Sequence, residues 1–200
     1  MPKFALVMLT ACLAAAPTSA AQTPTPRPNQ TPPPKTTPKP TPTPKTAGQG
    51  MGEKSTQSIA FLKAAAQGGI AEVELAKLAI SKASRDDVKT LAQTIQEDHE
   101  KVNAQIKDLA ARKTLTLPDS VSTAQKATED RLGKLSGAAF DRAYVDDMVK
   151  DHQHDVAEFK KHQADSDTDV RDFVTKTLPT LEQHLSKAEA VQKAIRGTGR

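Results

Sequence analysis

The sequence predicts an all-α protein: an up-down bundle of four long helices, with an extra short helix in the crossover between the second and the third. Three observations predict it. From residue 53 onward apolar side chains recur every three or four positions over long stretches, the spacing that brings residues back to one face of a helix. The interruptions between those stretches are mostly short and polar, as antiparallel neighbours in a bundle require. No segment alternates apolar and polar residues with the period of two that a half-buried strand shows.

The first two segments stand outside the bundle. Residues 1–20 read as a secretory signal peptide, with Lys3, an apolar run from Phe4 to Ala16, and Thr18-Ser19-Ala20 as the small-residue cleavage site. The apolar run is too short for a permanent membrane span. Cleavage after Ala20 is the favoured processing and places the chain in the periplasm or outer envelope of a bacterium. The alternative is that Leu9-Thr10-Ala11-Cys12 is a lipobox, in which case Cys12 carries lipid and tethers the chain to a membrane. Cys12 is the single cysteine, so cleavage after Ala20 leaves no thiol and no disulfide.

Residues 21–52 form a linker rich in proline, threonine and lysine. The tract from Thr23 to Lys45 lacks backbone donors and apolar mass, so it extends as a semi-rigid spacer. It also carries the basicity. The chain holds 28 Lys and Arg against 24 Asp and Glu, and Lys3, Arg27, Lys35, Lys39 and Lys45 all precede the first acidic residue, Glu53; without those five, 23 basic residues face 24 acidic ones. The folded part is therefore nearly neutral. With no Trp and one Tyr, it also lacks a stacking platform, so nucleic acid is not an expected partner. The basic linker fits either a plain spacer or contact with an anionic envelope or cell-wall polymer.

Residues 53–197 form the bundle domain. The first helix is expected over Lys54–Lys82. Ser84, followed by Asp86 and Asp87, is expected to cap a second helix that runs to about Arg112. Leu117-Pro118-Asp119-Ser120 breaks the chain, and a short helix follows from Ser122 to Leu135. The third long helix spans Ala138–Ala164, Asp165-Ser166-Asp167 makes the next turn, and the fourth ends at Gly197 with Pro179 expected to kink it.

Within these helices three histidines sit on the apolar stripes. His99 continues Val88, Leu91 and Ile95; His152 continues Val145 and Met148; His184 lies between Leu181 and Ala188. Glu72 falls among Leu62, Ala65, Gly69, Ala76 and Ala79, a face of mostly small residues that lets a neighbour approach closely. Counted from the hairpin turns at ~1.5 Å per residue, the four groups lie within about two helical turns of one another. Three imidazoles and a carboxylate suit a transition metal ion, Zn, Mn, Fe, Ni or Cu, so Glu72, His99, His152 and His184 are the candidate metal ligands. Asp155, one turn after His152, is a further candidate. Asp98 and Asp151 point about one hundred degrees from their neighbouring histidines and are better placed to bond a histidine on another helix. The competing reading is a buried Glu–His network that only packs. Glu74, His154 and His162 are expected at the surface, and Tyr144, with Phe140 and Phe159, in the core with its hydroxyl satisfied.

Several segments carry a family resemblance: Gly68-Gly69-Ile70-Ala71-Glu72 through Ala79, Glu97-Asp98-His99, Gly137-Ala138-Ala139-Phe140-Asp141-Arg142-Ala143-Tyr144-Val145, Met148-Val149-Lys150-Asp151-His152 and Leu178-Pro179-Thr180-Leu181-Glu182-Gln183-His184-Leu185. They resemble the bacterial family known as domain of unknown function 4142. The resemblance covers about Ser58–Val191 and implies an exported envelope protein, described in the family as an outer-membrane protein, with a ferritin-like helical fold and no established activity. Carboxylate-bridged di-iron sites of ferritin-like proteins use Glu-x-x-His on two helices. Here Gln96 precedes His99 by three and Val149 precedes His152 by three, which argues against such a centre. No glycine-rich phosphate loop or nucleophile elbow is present. Three readings follow: an exported binding or stress-tolerance protein with a mononuclear His/Glu metal site, a metal-dependent redox enzyme of ferritin-like type, or a structural module without metal.

Overall fold

In a computed structural model of the chain, residues 49–197 are described, with side chains from residue 55. They form five helices and, among the described residues, no strand: α1 (Gln49–Lys82), α2 (Asp86–Arg112), α3 (Thr123–Gly133), α4 (Gly137–Lys161) and α5 (Thr168–Gly197). The four long helices make the expected bundle, and α3 is the short crossover helix. Packing of α1 on α2 and of α4 on α5 is extensive, α2 also lies against α5, and α1 meets α4 only sparsely. The expected signal peptide, Cys12 and nearly all of the linker lie outside the described residues. No described helix is long and apolar enough to cross a membrane.

The helix ends show how local chemistry fixes the boundaries. Ser84 does not cap α2; the residue preceding the helix is Arg85, which makes no side-chain cap bond. Ser84 instead donates through its backbone N–H to Asp141 Oδ1 at 3.0 Å and through its hydroxyl to Asp141 Oδ2. Asp141 is fully buried, and a buried carboxylate needs donors more than an exposed helix end does. Asp86 and Asp87 do occupy the first turn of α2. At its other end the Leu115 N–H reaches Ala110 O at 2.9 Å and the Thr114 N–H reaches Ala111 O at 3.2 Å, the paired bonds of a left-handed helix stop. Thr114 adopts φ 51° to make them, a conformation that glycine adopts without cost and threonine does not. Ser122 and Gln125 close a reciprocal capping box at α3. Gly137 starts α4 at φ 55°, where glycine is required. Asp167 accepts from the Asp169 and Val170 N–H groups and caps α5, which then runs unbroken through Pro179.

The core consists of two apolar clusters. Toward the α1–α2 turn lie Leu75, Ala79, Val88, Leu91, Ile95, Phe140, Met148 and Ala188, among others. Toward the opposite end lie Leu62, Ala66, Ile106, Leu109, Val156, Phe159, Val174 and Leu181. Each of the larger side chains among them contributes about 1.5–3 kcal/mol by leaving water. On every long helix one polar residue stands between the stretch serving the first cluster and the stretch serving the second. Those residues are Glu72, His99, His152 and His184.

Candidate metal centre

All four candidate ligands are buried: Glu72 at 1% exposure, His99 at 3%, His152 and His184 at 0%. The structure brings them together in one layer. The imidazole centroids are 5.7 Å apart for His99 and His152, 5.4 Å for His99 and His184, and 5.3 Å for His152 and His184. One nitrogen from each ring can be chosen so that all three lie within 4.8 Å of one another. Glu72 closes the layer, with Oε2 2.9 Å from His99 Nδ1 and Oε1 3.5 Å from His152 Nε2.

The outer nitrogens set the tautomers of two rings. His152 Nδ1 lies 3.0 Å from the Met148 carbonyl, which can only accept, so Nδ1 carries the proton. His184 Nε2 lies 3.1 Å from Asp98 Oδ2. Lys101 and His184 hold the Asp98 carboxyl below its ordinary range despite partial burial, so it is an acceptor and His184 Nε2 carries the proton. Burial pushes both rings below the usual histidine range, His184 to about 4, against the pull of Asp98 and Glu72, so neither is an imidazolium at neutral pH. His152 Nε2 and His184 Nδ1 therefore face each other across 3.3 Å with a lone pair on each. Such a pair has no proton to share and is no hydrogen bond.

The other two members are equally unpaired. His99 and Glu72 approach to 2.9 Å, but outside hydrogen-bonding direction, and neither ring nitrogen of His99 and neither oxygen of Glu72 has a hydrogen-bond partner. Burial lowers His99 to about 4 and raises Glu72 to about 8. A core holding an unpartnered carboxyl group and three neutral imidazoles is unfavourable by itself, because each desolvated polar group without a partner costs about 1–3 kcal/mol. In tetrahedral coordination at 2.0–2.1 Å, donor atoms stand ~3.3 Å apart. The 3.3 Å between His152 and His184 matches that spacing, and the two Glu72 oxygens stand 2.9 Å from His99 and 3.5 Å from His152. The three ring nitrogens together lie within 4.8 Å, so the layer is close to a coordination sphere and slightly wider than one.

The surrounding residues fall partly as the sequence suggested. Asp98 bonds the histidine of another helix, as its direction on α2 implied, whereas Asp151 makes no bond to a histidine. Asp155 stands nearby, half-buried, and crowding by Glu72 and Asp151 adds to burial in raising its carboxyl. His154 is exposed and Glu74 pairs with Lys77 at the surface. Two expectations are corrected. His162 is half-buried rather than exposed, stacked on Phe61 at 4.1 Å and bonded to Asp165, itself tied to Ser58. The Tyr144 hydroxyl is buried in the core without the expected partner. Sequence reasoning missed Asp141 and Asn103. The Asn103 side chain packs against Gly69, where an added Cβ would fall 2.1 Å from its Oδ1, so glycine is needed for this close approach of α1 and α2.

The comparisons with known proteins agree with this architecture. The model of a family described as a domain of unknown function (DUF4142) matches residues 41–191. Among solved structures, the crystal structure of a DUF305 fragment from Deinococcus radiodurans is similar, with a TM-score of 0.63 and 18% identity, over 69% of this chain and 96% of that one. At that identity the likeness shows the helical fold alone. No match is found among curated proteins.

Proposed function

We propose that this chain, which belongs to the DUF4142 family of domains of unknown function, is an exported metal-binding protein whose bundle core holds one divalent transition-metal ion. His99, His152, His184 and Glu72 are its ligands, with His152 bound through Nε2 and His184 through Nδ1. The observation that carries the reading is the pair of facing lone pairs, His152 Nε2 and His184 Nδ1 at 3.3 Å, with both outer nitrogens already committed to acceptors. Met148 and Asp98 then play the usual part of outer partners that fix ring orientation and tautomer. A packing-only network does not account for this arrangement, since neither oxygen of Glu72 and neither nitrogen of His99 has a hydrogen-bond partner.

The donor set is three neutral nitrogens and one carboxylate oxygen, which fits a small borderline ion such as Zn²⁺ in tetrahedral coordination. The function assigned is binding in the envelope, supported by the signal-like residues 1–20 and the spacer that follows. The test is a Co²⁺ titration of the metal-stripped full chain. Saturation at one equivalent, with the intense visible bands of tetrahedral cobalt and their displacement by one equivalent of Zn²⁺, is expected. Absence of saturable binding, or an octahedral spectrum only, would refute the proposed ligand set.

A further inference from the structure

A buried ion needs a way in, and the four sides of the layer are not equivalent. The α1–α2 and α4–α5 sides are closed by close packing. Between α2 and α5 stands Asp98, already bonded to His184 and to Lys101 at 2.9 Å, so this side presents a spent carboxylate and an ammonium group. The α1–α4 side differs. There α1 offers Ala60, Ala64, Ala65 and Gly68, too small to fill the gap, and a cavity of about 910 Å³ opens between the helices. A Cβ placed at Gly68 meets nothing within 4 Å.

On the α4 wall of this cleft stand Asp151 and Asp155, both half-buried and neither making a hydrogen bond or ion pair among the described residues. Glu72 does not line the cleft but lies near enough to feel both charges, fully buried and without a donor on either oxygen. The three carboxylates are close enough for their charges to oppose one another, Asp151 acting on Glu72 and both acting on Asp155. The basic groups facing the cleft form no ion pair with them: Lys161 is engaged by Glu158 and His162 by Asp165, while His154, exposed on α4, favours the Asp151 charge without bonding to it. Crowded carboxylates without a basic partner are satisfied by protons or by a cation.

We propose that the α1–α4 cleft is the path by which the metal ion loads, with Asp155 and Asp151 as the carboxylates that receive it at the wall and pass it to Glu72. The path rests on the metal centre proposed above. It accounts for two features that the centre alone leaves unused: the half-buried, unpaired pair Asp151 and Asp155, and the small residues Ala60, Ala64 and Gly68 that leave the cleft open. The ion exchanges water for carboxylate oxygen first and for imidazole nitrogen last.

The test is stopped-flow loading of the metal-stripped full chain with Co²⁺ as the probe. Replacing both carboxylates, Asp151→Asn with Asp155→Asn, is expected to slow the second-order loading rate at least about ten-fold, the low end of what focused carboxylates supply. One equivalent of tetrahedral cobalt is still bound at equilibrium. Gly68→Leu, which fills the cleft without touching a charge, is expected to slow loading as well while keeping stoichiometry and melting temperature. Lys101→Ala, on the α2–α5 side, leaves the rate within about two-fold. Loading rates unchanged in both cleft variants would overturn the path, as would a faster rate in Lys101→Ala. If the double variant no longer binds stoichiometric cobalt although it folds, Asp151 or Asp155 is a resident ligand and the passing role is wrong. A wild-type chain that binds no cobalt refutes the centre itself, and is seen before any variant is made.

Discussion

Replacing Glu72 by glutamine should change stability with opposite sign in the metal-free and the metal-bound protein. Glutamine keeps the shape and removes the ionisable proton. In the metal-free chain burial raises the Glu72 carboxyl to about 8 from an ordinary value of 4.5. Between those values the folded state holds a proton that the unfolded state has lost. Stability contributed by this group is therefore complete below pH 4.5 and is lost progressively as pH rises toward 8. At pH 7 the loss spans 2.5 pH units, which at 1.36 kcal/mol each amounts to about 3 kcal/mol. Glu72→Gln carries no such penalty, so the metal-free variant should be more stable than wild type by about 3 kcal/mol at pH 7, and equal to it near pH 4. For a domain of this size that is roughly 6–12 °C in melting temperature. With one equivalent of Zn²⁺ the order should invert, because the variant has lost an anionic ligand. Urea unfolding at pH 4, 5.5 and 7, with chelator and with Zn²⁺, reads both effects. A variant less stable than wild type with chelator at pH 7 would refute the account of Glu72 as a donor-starved carboxylate.

Other substitutions test separate parts of the structure. His152→Ala should abolish stoichiometric metal and any metal-dependent rise in melting temperature, while His154→Ala, exposed on α4, should leave both unchanged, as inductively coupled plasma mass spectrometry and thermal melts will read. On acidification the metal-free chain should lose stability between about pH 6.5 and 4, because burial holds His99 and His184 near 4 and the unfolded chain takes up protons first; each contributes up to about 3 kcal/mol, partly offset by Glu72 above pH 4.5, so the loss is steeper in Glu72→Gln. Thr114→Gly should stabilise the fold by about 1 kcal/mol in urea unfolding, since glycine adopts φ 51° freely. Ser84→Ala should cost about 2 kcal/mol in the same assay by removing a donor from buried Asp141.

The bundle was legible because its signal is repeated. Each long helix carries five or more apolar positions at helical spacing, and an error at one position leaves the stripe intact. His99, His152 and His184 could be placed in the core by the same logic, since a polar residue inside an apolar series must face what its neighbours face. Which nitrogen faces which was not legible. It depends on the Met148 carbonyl and on Asp98 across the bundle, groups that adjoin these histidines only after folding. The surface assignments failed where a tertiary partner was invisible. His162 lies off the central stripe, yet Phe61, on another helix, gives its ring a face to stack on. Ser84 has the right residue type and place for a cap, but Asp141, 57 positions away, takes it. The cleft between α1 and α4 was half legible: the small-residue face of α1 is plain in the sequence, but read alone it suggested close approach. At Gly69 that is what the structure shows, with Asn103 filling the space; at Gly68, one position round the helix, the same residue type leaves a gap.

The most direct test of the metal centre is the melting temperature of the full-length protein, measured first in chelator and then with a small excess of Zn²⁺, Mn²⁺, Fe²⁺, Ni²⁺ or Cu²⁺. Because the ligands converge only in the folded state, an ion present at a hundred times its dissociation constant stabilises by about 2.7 kcal/mol, or ~5–10 °C for a domain of this size. The account requires such a rise for at least one of these ions, and its loss in His152→Ala. Wild-type curves that superimpose in chelator and in all five ions would contradict it.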